Sequence, residues 1–188
     1  MNKVESQIVI DGPIQTESTD KNQIKMERTM NNVEAQIVIE APVQQVWEVL
    51  ADFGGVYRWA PSVTNSYTTS ESNSGPDASR HCDVAGFGGI EEAITEWNDG
   101  REFTYVFTGV GPISEGYSAW SVKPQGDKTL VHTELRYTVR FGPLGVLMNT
   151  LIMRRKLNQS LKTSLEGLKH HVETGDQIGA DFRAPVAA

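Results

Sequence analysis

From Pro143 to Thr174 the chain carries Leu147, Leu151, Leu161, Leu165 and Leu168 at helical spacing, with Gly175 set to stop the helix. A helix over that span has about 30 residues and is roughly 45 Å long at 1.5 Å per residue. Its apolar stripe has to be buried, and what precedes it is mostly strand. Alternating segments fall near 62–70, 79–86, 89–97, 101–109, 114–123 and 128–140. They are separated by Ser74-Gly-Pro-Asp77, Gly88-Gly89, Asn98-Asp-Gly100, Gly109-Val-Gly-Pro112 and Gln125-Gly-Asp127. Asn98-Asp99-Gly100 and Gly126-Asp127 are hairpin turn chemistry, so their neighbours pair antiparallel. Ahead of these lie one more strand, over 33–40, and a helix opened by Pro42 that runs to Phe53. A short second helix at Val56-Tyr-Arg-Trp-Ala60 is stopped by Pro61. Seven antiparallel strands and one long helix, each with a single apolar face, have a direct packing solution. It is an α+β arrangement in which a curved sheet wraps the helix, with space left between them.

The 188 residues are 38% apolar and 22% charged, the composition of one globular core of ordinary size. With 17 Lys+Arg against 24 Asp+Glu the net charge is −7, and no dense basic stretch offsets it, which excludes a phosphate-backbone binder. A single cysteine, Cys82, makes an internal disulfide impossible and fits a reducing, cytoplasmic setting. No signal-peptide h-region and no apolar run near ~20 residues occurs, so membrane insertion is not expected. Phosphate-cradling loops, His-Glu-x-x-His and Gly-x-Ser-x-Gly are absent from the sequence, so no cofactor and no metal are expected.

The start of the chain is duplicated. Residues 1–15 recur as residues 30–44 with ten identities in fifteen. Only the second copy runs on into the helix bearing Trp47, so it supplies the built-in strand, with Val33, Ala35, Ile37 and Ile39 on one face. Residues 1–29 are then an N-terminal appendage, residues 30–175 the main domain, and residues 176–188 a mobile tail. The spare strand in the appendage either seeks a sheet edge, giving a homodimer if it crosses between chains, or stays mobile.

Four segments carry a family resemblance: Ala41-Pro-Val-Gln-Gln-Val-Trp-Glu-Val-Leu-Ala-Asp-Phe53, Tyr57-Arg-Trp-Ala-Pro61, Glu92-Ala-Ile-Thr-Glu-Trp-Asn-Asp99 and Lys156-Leu-Asn-Gln-Ser-Leu161. Over about residues 33–174 the chain resembles the superfamily of birch-pollen-allergen-like and START-related domains. Polyketide cyclases/dehydratases, lipid carriers and plant hormone receptors are among its members. The resemblance implies a helix-grip fold and a hydrophobic cavity between sheet and long helix.

Candidate site residues follow from polar groups on apolar faces. Glu92 sits between Ile90 and Ile94 on one strand face, where apolar surroundings would raise its pKa and suit it to acid–base work or ligand binding. Asn158 lies seven residues from both Leu151 and Leu165 and so interrupts the helix stripe, with Leu151 on the same face. Arg154, one turn earlier, is placed to meet an anionic ligand or to pair with Glu92. A buried structural ion pair is the alternative reading of this group. Tyr117 with Ala119, Trp59, and Tyr105 with Phe107 supply ring surface for a pocket. The resemblance further implies that Glu92, Asn158 and Tyr117 line it. It also implies that Gly86-Phe87-Gly88-Gly89 is a gate loop, while the glycines alone equally fit a tight hairpin.

Two functions stay open on these grounds. One is a polyketide cyclase/dehydratase-like enzyme of a biosynthetic pathway, with Glu92 as its catalytic acid or base. The other is a non-catalytic carrier of a lipid or other small hydrophobic ligand.

Overall fold

The structure is a computed structural model that describes residues 30–109, 111, 113–140 and 152–183. The appendage 1–29, any pairing through it, and Leu151 lie outside the described residues.

Strand β1 (Asn31–Ile39) leads through Pro42 into helix α1 (Val43–Ala51) and a 3₁₀ helix (Phe53–Arg58). Six strands follow: β2 (Val63–Thr68), β3 (Ser79–Val84), β4 (Gly88–Asn98), β5 (Glu102–Thr108), β6 (Ile113–Gln125) and β7 (Lys128–Val139). Helix α2 (Arg154–Thr174) closes the order. Of the helix expected over 143–174, α2 is the α-helical part, Ile152 and Met153 wind as a π-helical turn, and 141–151 lie outside the described residues. Pro42 caps α1 rather than opening it, since its ψ of 149° is extended.

The strands form one seven-stranded antiparallel sheet in the order β1-β7-β6-β5-β4-β3-β2. Every consecutive pair from β2 to β7 is therefore a hairpin neighbour, as the turn residues require, and only β1 joins out of sequence by pairing with β7. The curled sheet and α2 form the helix-grip arrangement, with the core between them. Ile39, Val46, Leu50, Phe53, Val131, Leu165 and Leu168 are all buried there. α1 is pinned to the far hairpin by Trp47, whose indole N–H donates to Asp99 Oδ1 at 3.1 Å. This places the Asn98-Asp99-Gly100 turn in a tertiary contact as well as a local one.

Two glycines mark close approaches. A Cβ on Gly116 would run into the Phe107 ring across the β5–β6 pair, so the missing side chain lets that ring lie flat against the sheet. A Cβ on Gly167 of α2 would collide with the Trp59 carbonyl, so the helix touches backbone there.

Gly175 adopts φ 80°, and Ile178 beyond it is buried, its N–H donating to the Arg58 carbonyl at 2.8 Å. Sequence periodicity carries no signal for a single apolar anchor of this kind.

Candidate functional site

Between the concave face of the sheet and α2 lies a cavity of about 150 Å³. Strand parity decides what lines it. In β5, Phe103, Tyr105 and Phe107 all point inward; in β6 it is Ser118 and Trp120; in α2 it is Leu157, Leu161 and the small Ser160 and Ser164. The wall opposite α2 carries Arg80 and Cys82 of β3 and Ile90 and Glu92 of β4, and the 3₁₀ corner adds Val56, Trp59 and Ala60. Aromatic rings hold the shape. Trp59 meets Trp120 edge-on at 5.4 Å, and Phe53 meets Tyr105 at 5.5 Å.

The polar centre of this apolar surface is an ion pair. Arg80 and Glu92 face each other across the β3–β4 ladder, with Nε donating to Oε2 at 2.5 Å and side chains only 7% and 11% exposed. Two further contacts fix Arg80: Nη1 donates to the Phe53 carbonyl at 2.6 Å, and the guanidinium lies 3.8 Å from the Phe53 ring centroid. The Cys82 thiol donates to the same Glu92 oxygen at 3.4 Å. Both contacts engage Oε2, and Oε1 carries none among the described residues. Glu92 is thus half of a built pair, not the isolated carboxylate in apolar surroundings that its neighbours Ile90 and Ile94 suggested.

Burial pushes the Tyr105 phenol well above its ordinary range, and the Glu92 charge adds to this against the opposing influence of Arg80 and Ser118. The phenol therefore stays protonated. Burial likewise pushes the Cys82 thiol up to about 12, with Arg80 opposing and Glu92 reinforcing. At pH 8 this leaves about a thousandfold less thiolate than an ordinary cysteine has. Iodoacetamide should accordingly leave Cys82 unmodified in the native protein over hours and alkylate it within minutes in denaturant, as read by intact mass. Rapid native alkylation would show that the thiol is not held in this environment.

The sequence-derived candidates divide cleanly. Glu92, Trp59, Tyr105 and Phe87 stand on the cavity wall. Phe87 is the last residue of a three-residue β3–β4 turn and lies between Gly86 and Gly88, both at positive φ. Tyr117 and Ala119 are corrected: they lie on the convex face. The Arg136 guanidinium is 5.6 Å from the Tyr117 ring, and Ala119 lines a separate outer groove with His132 and Glu134. Their strand places Gly116, Ser118, Trp120 and Val122 inward, after a bulge between Ile113 and Glu115. Arg154 is exposed, so the expected pairing with Glu92 is replaced by Arg80. Asn158 does not line the cavity. Its Oδ1 is buried and has no hydrogen-bond partner among the described residues. Arg80 was missed, although a signal existed: Ala78, Arg80, Cys82 and Val84 share one strand face, the same pattern that singled out Glu92.

Comparison with known proteins places this geometry. The family model for polyketide cyclase / dehydrase and lipid transport matches residues 30–173. No curated protein matches the chain. Among solved structures, one protein from Thermus thermophilus is 19% identical, with a TM-score of 0.65 over 77% of this chain and 99% of its own. A START superfamily protein from Mycobacterium smegmatis is 17% identical, at 0.63 over 76% and 97%. The Zhui aromatase/cyclase of a Streptomyces species is 16% identical, at 0.61 over 79% and 99%. At these identities the structures establish a common fold, and the family match establishes descent. The chain belongs to the polyketide cyclase/dehydrase and lipid-transport family.

Proposed function

We propose that the protein binds a small, ring-bearing hydrophobic molecule in this cavity and moves a proton on it, as a cyclase- or dehydratase-like enzyme of a biosynthetic pathway. The observation that carries this reading is the Arg80–Glu92 pair set into an otherwise apolar wall. Burying two charges costs far more than a hydrophobic pair of the same volume would, so stability alone is a poor reason for their presence. With Oε2 held by Arg80, Oε1 is the oxygen available to accept a proton from the carbon beside a ligand carbonyl. The protonated Tyr105 phenol is the donor for the oxygen on which charge then develops. About 150 Å³ is the size of cavity that holds a benzene ring, so the part of the ligand inside is one ring or its equivalent.

A second reading, a carrier that holds a hydrophobe without turnover, draws on the same pair, because Arg80 already balances the charge of Glu92. Acetophenone, with one ring and one carbonyl oxygen, separates the two. In deuterium oxide an enzyme of this kind exchanges the methyl protons of acetophenone above the buffer rate. Glu92→Gln slows that exchange by about 10²-fold or more and changes affinity less than tenfold. Binding without exchange in the wild type would favour the carrier.

A further inference from the structure

The family match ends at residue 173, and the chain beyond it returns to the cavity wall. Gly175 turns the backbone out of α2 at φ 80°. Residues 176–183 are then tied on two sides. Toward α2, His171 Nδ1 lies 2.6 Å from the Asp176 carbonyl oxygen, and the His170 and Phe182 rings stand 5.6 Å apart. Toward the 3₁₀ corner, the Ile178 N–H donates to the Arg58 carbonyl and its side chain is 6% exposed. Three groups meet at one point: where Gly167 would carry a Cβ, the Trp59 carbonyl and Pro61 are in contact distance and Ile178 Cδ1 lies 3.3 Å away.

Trp59 and Ala60 are cavity wall, and the Trp59 carbonyl meets α2 at Gly167, where the Ile178 side chain packs into the same junction. Among the described residues their backbone hydrogen bonds are all local to the corner. The Trp59 and Ala60 amides both donate to the Val56 carbonyl, at 3.2 and 2.9 Å, which is a single short turn of modest intrinsic stability. We infer that residues 176–183 are a clamp behind the Trp59 wall, with Ile178 as its positioning residue, so that docking of the clamp and occupation of the cavity are coupled. A ligand that presses on the indole bears on the junction that Ile178 helps to fill. By linkage, whatever affinity the docked clamp adds, the ligand returns as tighter docking. This second statement rests on the cavity being the ligand site; the clamp itself does not.

Amide hydrogen exchange in the full chain tests the clamp without a ligand. In Ile178→Ala, the Trp59 and Ala60 amides should exchange about tenfold faster while those of Val131 and Thr133 in β7 keep their wild-type rates. Ile178→Val should restore most of the protection. Unchanged rates at Trp59 and Ala60 would overturn the inference, and so would a uniform acceleration everywhere, which is the mark of simple destabilisation. Acetophenone tests the coupling. Its affinity should fall about fivefold or more in Ile178→Ala, and at saturation it should slow exchange of the Ile178 amide in the wild type. Binding that leaves both unmoved would refute the coupling and spare the cavity. Failure of acetophenone to bind would refute the cavity, and the Trp59 and Ala60 exchange rates would still decide the clamp.

Discussion

Replacing Arg80 with Met should lower the unfolding free energy by about 3–5 kcal/mol, because it leaves the Glu92 carboxylate buried without its cation. The side chain of Met fills much of the same volume, so the loss is electrostatic rather than a cavity effect. Three contacts go together: the bond to Oε2, the bond to the Phe53 carbonyl and the stacking on the Phe53 ring. The double variant Arg80→Met with Glu92→Leu should recover most of the loss, since a buried pair replaced by apolar groups of similar size is often neutral. Urea titration of the two variants and the wild type measures both effects. If the single variant lost less than about 1 kcal/mol, the pair would have to be far better hydrated than its burial indicates.

How much of this was legible beforehand differs element by element. The order of strands, the antiparallel hairpins and the long closing helix follow from period and turn chemistry, and β1 is the second copy of the duplicated segment because only that copy reaches Trp47. Side-chain parity was the weak point. A strand's two faces exchange on a one-residue slip, and the bulge between Ile113 and Glu115 makes the start of β6 a poor guide to the rest. Further along, Lys123 shares parity with Tyr117 while Trp120 and Val122 share the other, which is the local signal that Ser118 and not Tyr117 faces inward. The helix offers Arg154, one turn from Asn158, as a cation for Glu92. The nearer answer was the adjacent strand, where Arg80 is the direct cross-strand partner. Ile178 had no signal at all, since one buried residue in eight has no period.

Glu92→Gln should reduce acetophenone proton exchange by about 10²-fold or more, with a change in dissociation constant smaller than tenfold. The amide keeps the shape and an acceptor oxygen for Arg80 Nε, so the cross-strand bond persists while the ionisable group is gone, with a loss of stability because Arg80 is left without its counter-ion. Tyr105→Phe removes the buried phenol donor and should slow exchange by a smaller factor, about tenfold, through weaker stabilisation of the developing oxyanion. Equal losses of rate and affinity in Glu92→Gln would instead make Glu92 a binding group whose charge the ligand needs in the ground state.

The central claim is that the space between sheet and α2 receives the ligand. Methyl NMR during an acetophenone titration reads this directly. Saturable shifts should appear at Ile90, Ile113, Leu135, Leu157 and Leu161, which line the cavity, and not at the solvent-facing Val106 and Ile152. Saturable shifts confined to Val106 or Ile152, or none at the five cavity residues at millimolar ligand, would contradict it.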